Sequence, residues 1–428
     1  MMGMGFKWMA ILSLVTFVIT FGAVSYEVVP VGIDSIKLLE VERKLSLLNK
    51  QAVKSIHSED GDIIDCVDIY KQPAFDHPGL RNHTIQITPS FSPTMERTTT
   101  TMKNATKGKG GSSVTVTSQL WQRSGNCPDG TIPIRRVQKE NLLKSSSLKD
   151  YGRKKPRLSQ RFNHLDKNID LHLPQENRSV AILIAQGFSY LGARADIKVD
   201  NPFVESDDEY STSQVSLKNS NDKGYEAIES GWAVNPRVYG DKTTRLFVYW
   251  TVDSSETTGC FDLTCPGFVQ TSNEVALGAA IYPISKPRGL PYQITVYISK
   301  DPFTGNWWVQ YGDDVNIGYW PADLFSSLSY HAETVEWGGE VYSSKIRTHP
   351  HTATAMGNGQ FPMFDDYGCI SGCVKRMRVR ENSLDLRFPE FVNTYADEYN
   401  CYNVYYVEDY VEDPEFYYGG PGKSLWCP

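Results

Sequence analysis

The chain has 428 residues, 40% hydrophobic, 12% aromatic and 22% charged, with a formal net charge of -7. This is globular composition, long enough for one large domain plus a smaller unit, and beyond the N-terminus no run is long and apolar enough to cross a membrane. The acidic balance disfavours a nucleic-acid partner.

Lys7 is followed by an apolar run from Trp8 to Val24, closed by small residues at "AVS" (23–25). The pattern predicts a secretory signal peptide over 1–25, and the run barely reaches the length that the alternative, an uncleaved anchor, requires. The expected destination is extracellular, with the vacuole or cell wall as variants and no stable membrane anchor after cleavage. Three Asn-x-Ser/Thr sequons, at Asn82, Asn104 and Asn177, suit glycosylation on that route. Residues 34–50 place Leu38, Val41, Leu45 and Leu48 at helical spacing behind Asp34 or Ser35, which predicts an amphipathic helix.

Two polar tracts interrupt the pattern. "MERTTTTMKNATKGKGGSSVT" (95–115) has no core periodicity, and "KSSSLKDYGRKKPRLSQRFNHLDKN" (144–168) separates "CPDGTIPIRR" from the C-terminal part of the chain. From Ser179 the chain becomes dense alternating segments such as "VAILIAQG", "RLFVYWTV" and "QITVYISK", punctuated by turn signals such as "DPFTGN". The predicted fold is all-β, an antiparallel two-sheet sandwich or jelly roll over 179–428. Before it come a smaller mixed unit over 26–143 and a linker over 144–178. Charge divides at the same place: residues 26–178 hold 24 Lys+Arg against 17 Asp+Glu, while 179–428 hold 18 against 33. A basic segment ahead of an acidic domain, joined by a protease-sensitive tract, suggests a pro-segment held by charge at neutral pH. The run "RKKPR" (153–157) invites a processing site, but Pro156 after the dibasic pair is a poor cleavage context, so no cut is assigned.

Eight cysteines in an exported chain predict disulfides, and two fall before the junction and six after it. Cys260 with Cys265 and Cys369 with Cys373 have metal-like spacing, but no histidine accompanies either pair, so neither a metal nor another cofactor is expected.

Two glutamates are out of place in strands. In "IESGWAV" (228–234) alternation puts Ile228, Trp232 and Val234 on one face, and Glu229 on the other with Ala227, Gly231 and Ala233. In "EWGGEVYSS" (336–344) Val335, Trp337 and Val341 face one way, and Glu336, Gly338, Glu340 and Tyr342 the other. A buried unpaired carboxylate costs several kcal/mol. Two of them beside small residues fit a hydrolase in which one carboxylate takes a proton from water and the other donates one. Alternation alone does not bring them together.

The chain resembles the neprosin family of secreted plant glutamic peptidases. The pro-segment part of the likeness lies in "KSIHSEDGDIIDCVDIYKQPAFDHPGLRNHTIQ" (54–86) and "CPDGTIPIRR" (127–136). The catalytic part lies in "AIESGWAVNPRVYGDKTTRLFVYWT" (227–251), "TGCFDLTCPGFVQ" (258–270), "DPFTGNWWVQYG" (301–312), "IGYWPADLF" (317–325), "GGEVYS" (338–343) and "YYGGPGK" (417–423). The resemblance implies an endopeptidase active in acid with preference for proline, made as a zymogen whose own pro-segment inhibits it, with Glu229 and Glu340 as catalytic pair. It implies disulfides Cys66–Cys127, Cys260–Cys265 and Cys401–Cys427. Cys369 and Cys373 depart from the family pattern and either pair together or exchange with the C-terminal pair. A proline-containing peptide is already extended, and an aromatic groove binds it at low entropic cost, for which Trp232, Tyr249, Trp308 and Trp320 are the candidates. Rival readings are a non-catalytic cell-wall or carbohydrate-binding sandwich and a two-carboxylate glycoside hydrolase.

Overall fold

The computed structural model describes residues 33–91, 114–115, 118–145, 147–154, 177–287, 289–363, 369–382, 385–408 and 413–428. The expected signal peptide, Asn104 and most of the 144–178 tract lie outside them. Among the described residues no helix is long and apolar enough to cross a membrane.

Two antiparallel sheets stack face to face. The first has seven strands in the order Cys260–Phe261, Arg245–Thr251, Gly224–Val234, Tyr210–Asn221, Ala332–Tyr342, Arg178–Tyr190, Val392–Ala396. The second runs Val269–Gln270, Val315–Trp320, Trp307–Tyr311, Tyr292–Lys300, Gly192–Lys198, Gly372–Arg380, Glu415–Gly419, Asn403–Val407. Alternation supplies the core between them. Val215, Leu217, Ile228, Trp232, Val248, Val335, Trp337 and Val341 of the first sheet meet Ala195, Ile197, Val296, Val309, Trp320 and Phe416 of the second. The predicted sandwich is the observed one.

The N-terminal unit is a helix, Ile33–Leu48, followed by a three-stranded sheet, Ala52–His57, Ile63–Asp68 and Thr131–Arg135. Val41 and Leu48 are buried by the helix, but Leu38 is exposed and Leu45 only partly covered, so the apolar stripe is narrower than the spacing predicts. The unit is not a satellite. Val67, Ile69, Ile132 and Ile134 join the main core, and Trp121 with Ile56 and Ile64 packs on Ala276 and Ala279. Side-chain amides stitch the seam: Gln72 exchanges hydrogen bonds with the Gln270 backbone at 2.8 and 3.0 Å, and Gln119 does the same with Ala276 at 2.8 Å. Asp62 contributes a buried ion pair to Arg245 at 2.6 Å.

The cysteines pair as Cys66–Cys127, Cys260–Cys265, Cys369–Cys373 and Cys401–Cys427. No bridge ties the N-terminal unit to the sandwich, so a cut between them separates the two covalently. Asn82 is exposed, and Asn177 is half-buried with a left-handed backbone, φ 61°.

Candidate active site

Three neighbouring strands of the seven-stranded sheet build the site. Tyr210–Asn221 lies between Gly224–Val234 and Ala332–Tyr342, and the register is fixed by Ser216 opposite both Glu229 and Glu336, Gln214 opposite Gly231 and Gly338, and Thr212 opposite Ala233 and Glu340. Directly opposed residues share a face, so all of these side chains point away from the inter-sheet core. The two glycines are required. A Cβ at Gly231 would stand 2.0 Å from the Ser213 carbonyl oxygen, and Gly338 has φ 140°.

Glu229 and Glu340 stand two strands apart on this face, yet they converge on one cation. Lys154 Nζ lies 2.7 Å from Glu229 Oε2 and 3.1 Å from Glu340 Oε1. All three side chains are at least nine-tenths buried, Lys154 to 1% exposure. The lysine comes from the 144–178 tract. Tyr151 donates to the Val238 carbonyl at 2.7 Å, and the Gly152 carbonyl accepts from Phe261 N at 2.7 Å, which anchors the chain two residues before Lys154. The ammonium also lies 4.8 Å from the centre of the Tyr249 ring.

Glu340 has further partners. Tyr210 donates to its Oε1 at 2.6 Å, and the buried Arg178 lies nearby. Burial alone would push the Glu340 carboxyl up, but Lys154, Arg178 and the Tyr210 hydroxyl together hold it well below the usual carboxylate range. The Tyr210 hydroxyl is pushed the other way, first by burial and then by the carboxylate it serves. The third carboxylate on this face, Glu336, is paired at 2.6 Å with Lys218 of the neighbouring strand, inside the sandwich itself. The cation that contacts Glu229 and Glu340 together therefore comes from outside the sandwich, from the 144–178 tract.

The aromatic expectations divide. Tyr249 lies on the same face as the glutamates, buried, directly opposite Glu229 in the register and bonded through its hydroxyl to Ser255 Oγ at 2.7 Å. Trp232 and Trp320 are corrected: both are buried in the core between the sheets, and Trp232 Nε1 donates to the Lys198 carbonyl there at 2.8 Å. Trp308 is corrected too. It lies on a different surface, where it packs with Tyr319 beneath Ala74 and Phe75 of the N-terminal unit. Alternation already placed Trp232 opposite Glu229. Residue type outweighed position in that expectation.

Sequence reasoning missed Lys154, Tyr210, Arg178 and Gln214. Lys154 sits in the "RKKPR" run, where a dibasic pair reads as a processing signal. Tyr210, Arg178 and Gln214 carry no local signature, and only strand pairing brings them beside the glutamates.

The family model described as Neprosin matches residues 207–421, and the one described as Neprosin activation peptide matches residues 55–179. Two solved structures are similar over part of the chain. One is Scytalido-glutamic peptidase with a peptide-based transition-state analogue, at 9% identity and a TM-score of 0.29, covering 57% of this chain and 98% of that one. The other is SCP-B, a member of the Eqolisin family of peptidases, with the tripeptide Ala-Ile-His, at 10% identity and a TM-score of 0.27 over the same shares. The activation-peptide match begins within the first strand of the N-terminal sheet and ends at the first sandwich strand, and the match to the Neprosin model spans both strands that carry the glutamates; on these two matches the chain belongs to the neprosin family.

Proposed function

We propose that the protein is the zymogen of a glutamic endopeptidase, with Glu229 and Glu340 as the pair that activates water. The observation that carries this reading is the single ammonium of Lys154 in contact with both carboxylates. Two acids that can share one cation can share one water molecule, and a groove that admits a lysine side chain and its backbone admits a peptide.

Once the lysine leaves, the two carboxylates repel each other and the pair holds one proton between them. The ionised member takes a proton from water as its oxygen attacks the scissile carbonyl carbon. The protonated member gives its proton to the departing nitrogen. No acyl-enzyme forms, and the pair ends with one proton, as it began. Turnover therefore requires acid and declines as the shared proton is lost.

A preference for proline fits the groove's aromatic lining. Tyr210 stacks on Tyr342 with ring centres 5.3 Å apart, and Tyr249 stands beside Glu229. Flat, rigid rings suit a pre-extended polyproline-like segment. The precursor is inhibited by residues 147–154, and activation removes the N-terminal unit by a cut in the 144–178 tract.

The test uses processed enzyme, an acid buffer and a complex peptide mixture with cleavage sites mapped by mass spectrometry. Glu229→Gln and Glu340→Gln are each expected to lower kcat/KM by at least ~10²–10⁴-fold, the usual weight of a general acid or base. Near-wild-type cleavage by either variant rejects the dyad. Cleavage sites without enrichment around proline reject the specificity and leave the chemistry.

A further inference from the structure

Between the two glutamates stands a side chain to which neither the family match nor the mechanism above gives a role. Gln214 occupies the middle strand at the register position midway between Glu229 and Glu340, with Gly231 on one side and Gly338 on the other. It is 5% exposed, its Oε1 is buried without a hydrogen-bond partner, and among the described residues its amide makes no side-chain hydrogen bond. Its chain neighbour Ser213, on the opposite face, is by contrast bonded to the Tyr418 hydroxyl at 2.5 Å. A buried polar group left unpaired costs ~1–3 kcal/mol. A leucine there would avoid that cost, so the amide fits a partner that arrives with the substrate.

The reaction has an opening for such a group. Both glutamates are occupied with protons, one receiving from water and one donating to the leaving nitrogen. As the C–O bond forms, the carbonyl π pair moves onto oxygen, and that oxyanion needs a donor. A primary amide suits acid conditions because it neither titrates nor competes for the shared proton. The flanking glycines leave no side chain between the amide and an approaching backbone. We propose that Gln214 is a catalytic residue whose side-chain N–H groups hold the scissile carbonyl oxygen, gaining strength as it becomes the tetrahedral oxyanion. The charge then collapses back to C=O as the C–N bond breaks.

This rests on the dyad reading, and the experiment separates the two. Processed wild type, Gln214→Leu, Gln214→Asn and Glu340→Gln are compared by steady-state kinetics at several acid pH values, with thermal unfolding of each precursor. Gln214→Leu is expected to lose ~10²–10³-fold in kcat, the weight of one oxyanion donor. Its KM should stay within a few-fold, its pH profile should keep its shape, and its melting temperature should equal or exceed wild type. Gln214→Asn keeps the polarity but draws the donor back by one methylene, and should lose kcat without losing stability. If Glu340→Gln is inactive while both Gln214 variants keep kcat within threefold, or change KM alone, the oxyanion role is overturned and the dyad stands. If Glu340→Gln is active, the dyad reading itself has failed, and this proposal fails with it.

Discussion

On the proposed reading, Lys154 is the residue that keeps the precursor latent. The ammonium contacts two buried carboxylates, and breaking a buried ion pair by removing one partner costs ~3–5 kcal/mol, which Arg178 and Tyr210 offset only on the Glu340 side. A Lys154→Met precursor is therefore expected to unfold at lower denaturant concentration and to convert to processed enzyme faster at pH 6. A variant as stable and as latent as wild type would remove Lys154 from the inhibitory mechanism. Glu340 sets the sign of the pH effect. Its carboxyl is depressed in the latched precursor, so the latch contributes fully above the ordinary carboxylate range near ~4.3 and fails only as pH falls through the depressed value. Mild acidity alone should not open it.

At the level of elements, the site depends on three strands approaching closely without side chains in the way. Gly231→Ala would set a Cβ 2.7 Å from the Gln214 Cα and closer still to the Ser213 carbonyl, and backbone on both counts has little room to yield. The expected cost is at or above the ~1–3 kcal/mol typical of overpacking, read by urea unfolding of the precursor, together with loss of activity after processing. An unchanged unfolding midpoint would mean that the strands can part. Element-level pattern also shows why the sequence reading succeeded where it did. Period-two alternation separates Glu229 from Trp232 and Glu340 from Trp337, because in a sandwich the core face admits no unpaired charge. Glu226, which alternation puts on the other face from Glu229, is buried as well, but it is satisfied there by Ser326, Ser327 and Leu328 of a loop one hundred residues away.

Across the whole molecule the N-terminal unit is held by a few strong points that respond differently to acid. Asp62 holds both Arg135 at 2.8 Å and Arg245 at 2.6 Å, and Arg245 keeps Asp241 as a second partner. Asp62→Ala should therefore cost the precursor about 3 kcal/mol, the low end of the range for breaking a buried pair. Calorimetry that found less than ~1 kcal/mol would place the seam's strength in its apolar contacts. Asp301 is opposed by burial but held well below the usual range by Ser90 and Gln86 of the N-terminal unit, so this anchor too weakens only as pH falls through a depressed value. Asp262 works in the other direction. Burial beneath the N-terminal unit raises it to about 7, against which the bond from Tyr239 and the nearby arginines only partly act. A raised carboxyl stabilises the precursor fully below its unfolded value and loses that contribution as pH rises towards 7. The precursor should be more heat-stable at pH 5 than at pH 7.5, and Asp262→Asn should erase the difference. A precursor that melts earlier at pH 5 would contradict this assignment.

The sequence by itself determined the sandwich, the division of charge, the faces on which the two glutamates lie, and a family likeness dense enough to single them out. These are local or one-dimensional properties: alternation, composition and contiguous motifs. Tertiary structure alone decided that residues 111 apart in the chain meet at one lysine, that Gln214 lies between them, and that three of four candidate aromatics lie elsewhere. Strand order and register set those contacts, and they depend on pairing between segments far apart in sequence, which no single stretch encodes.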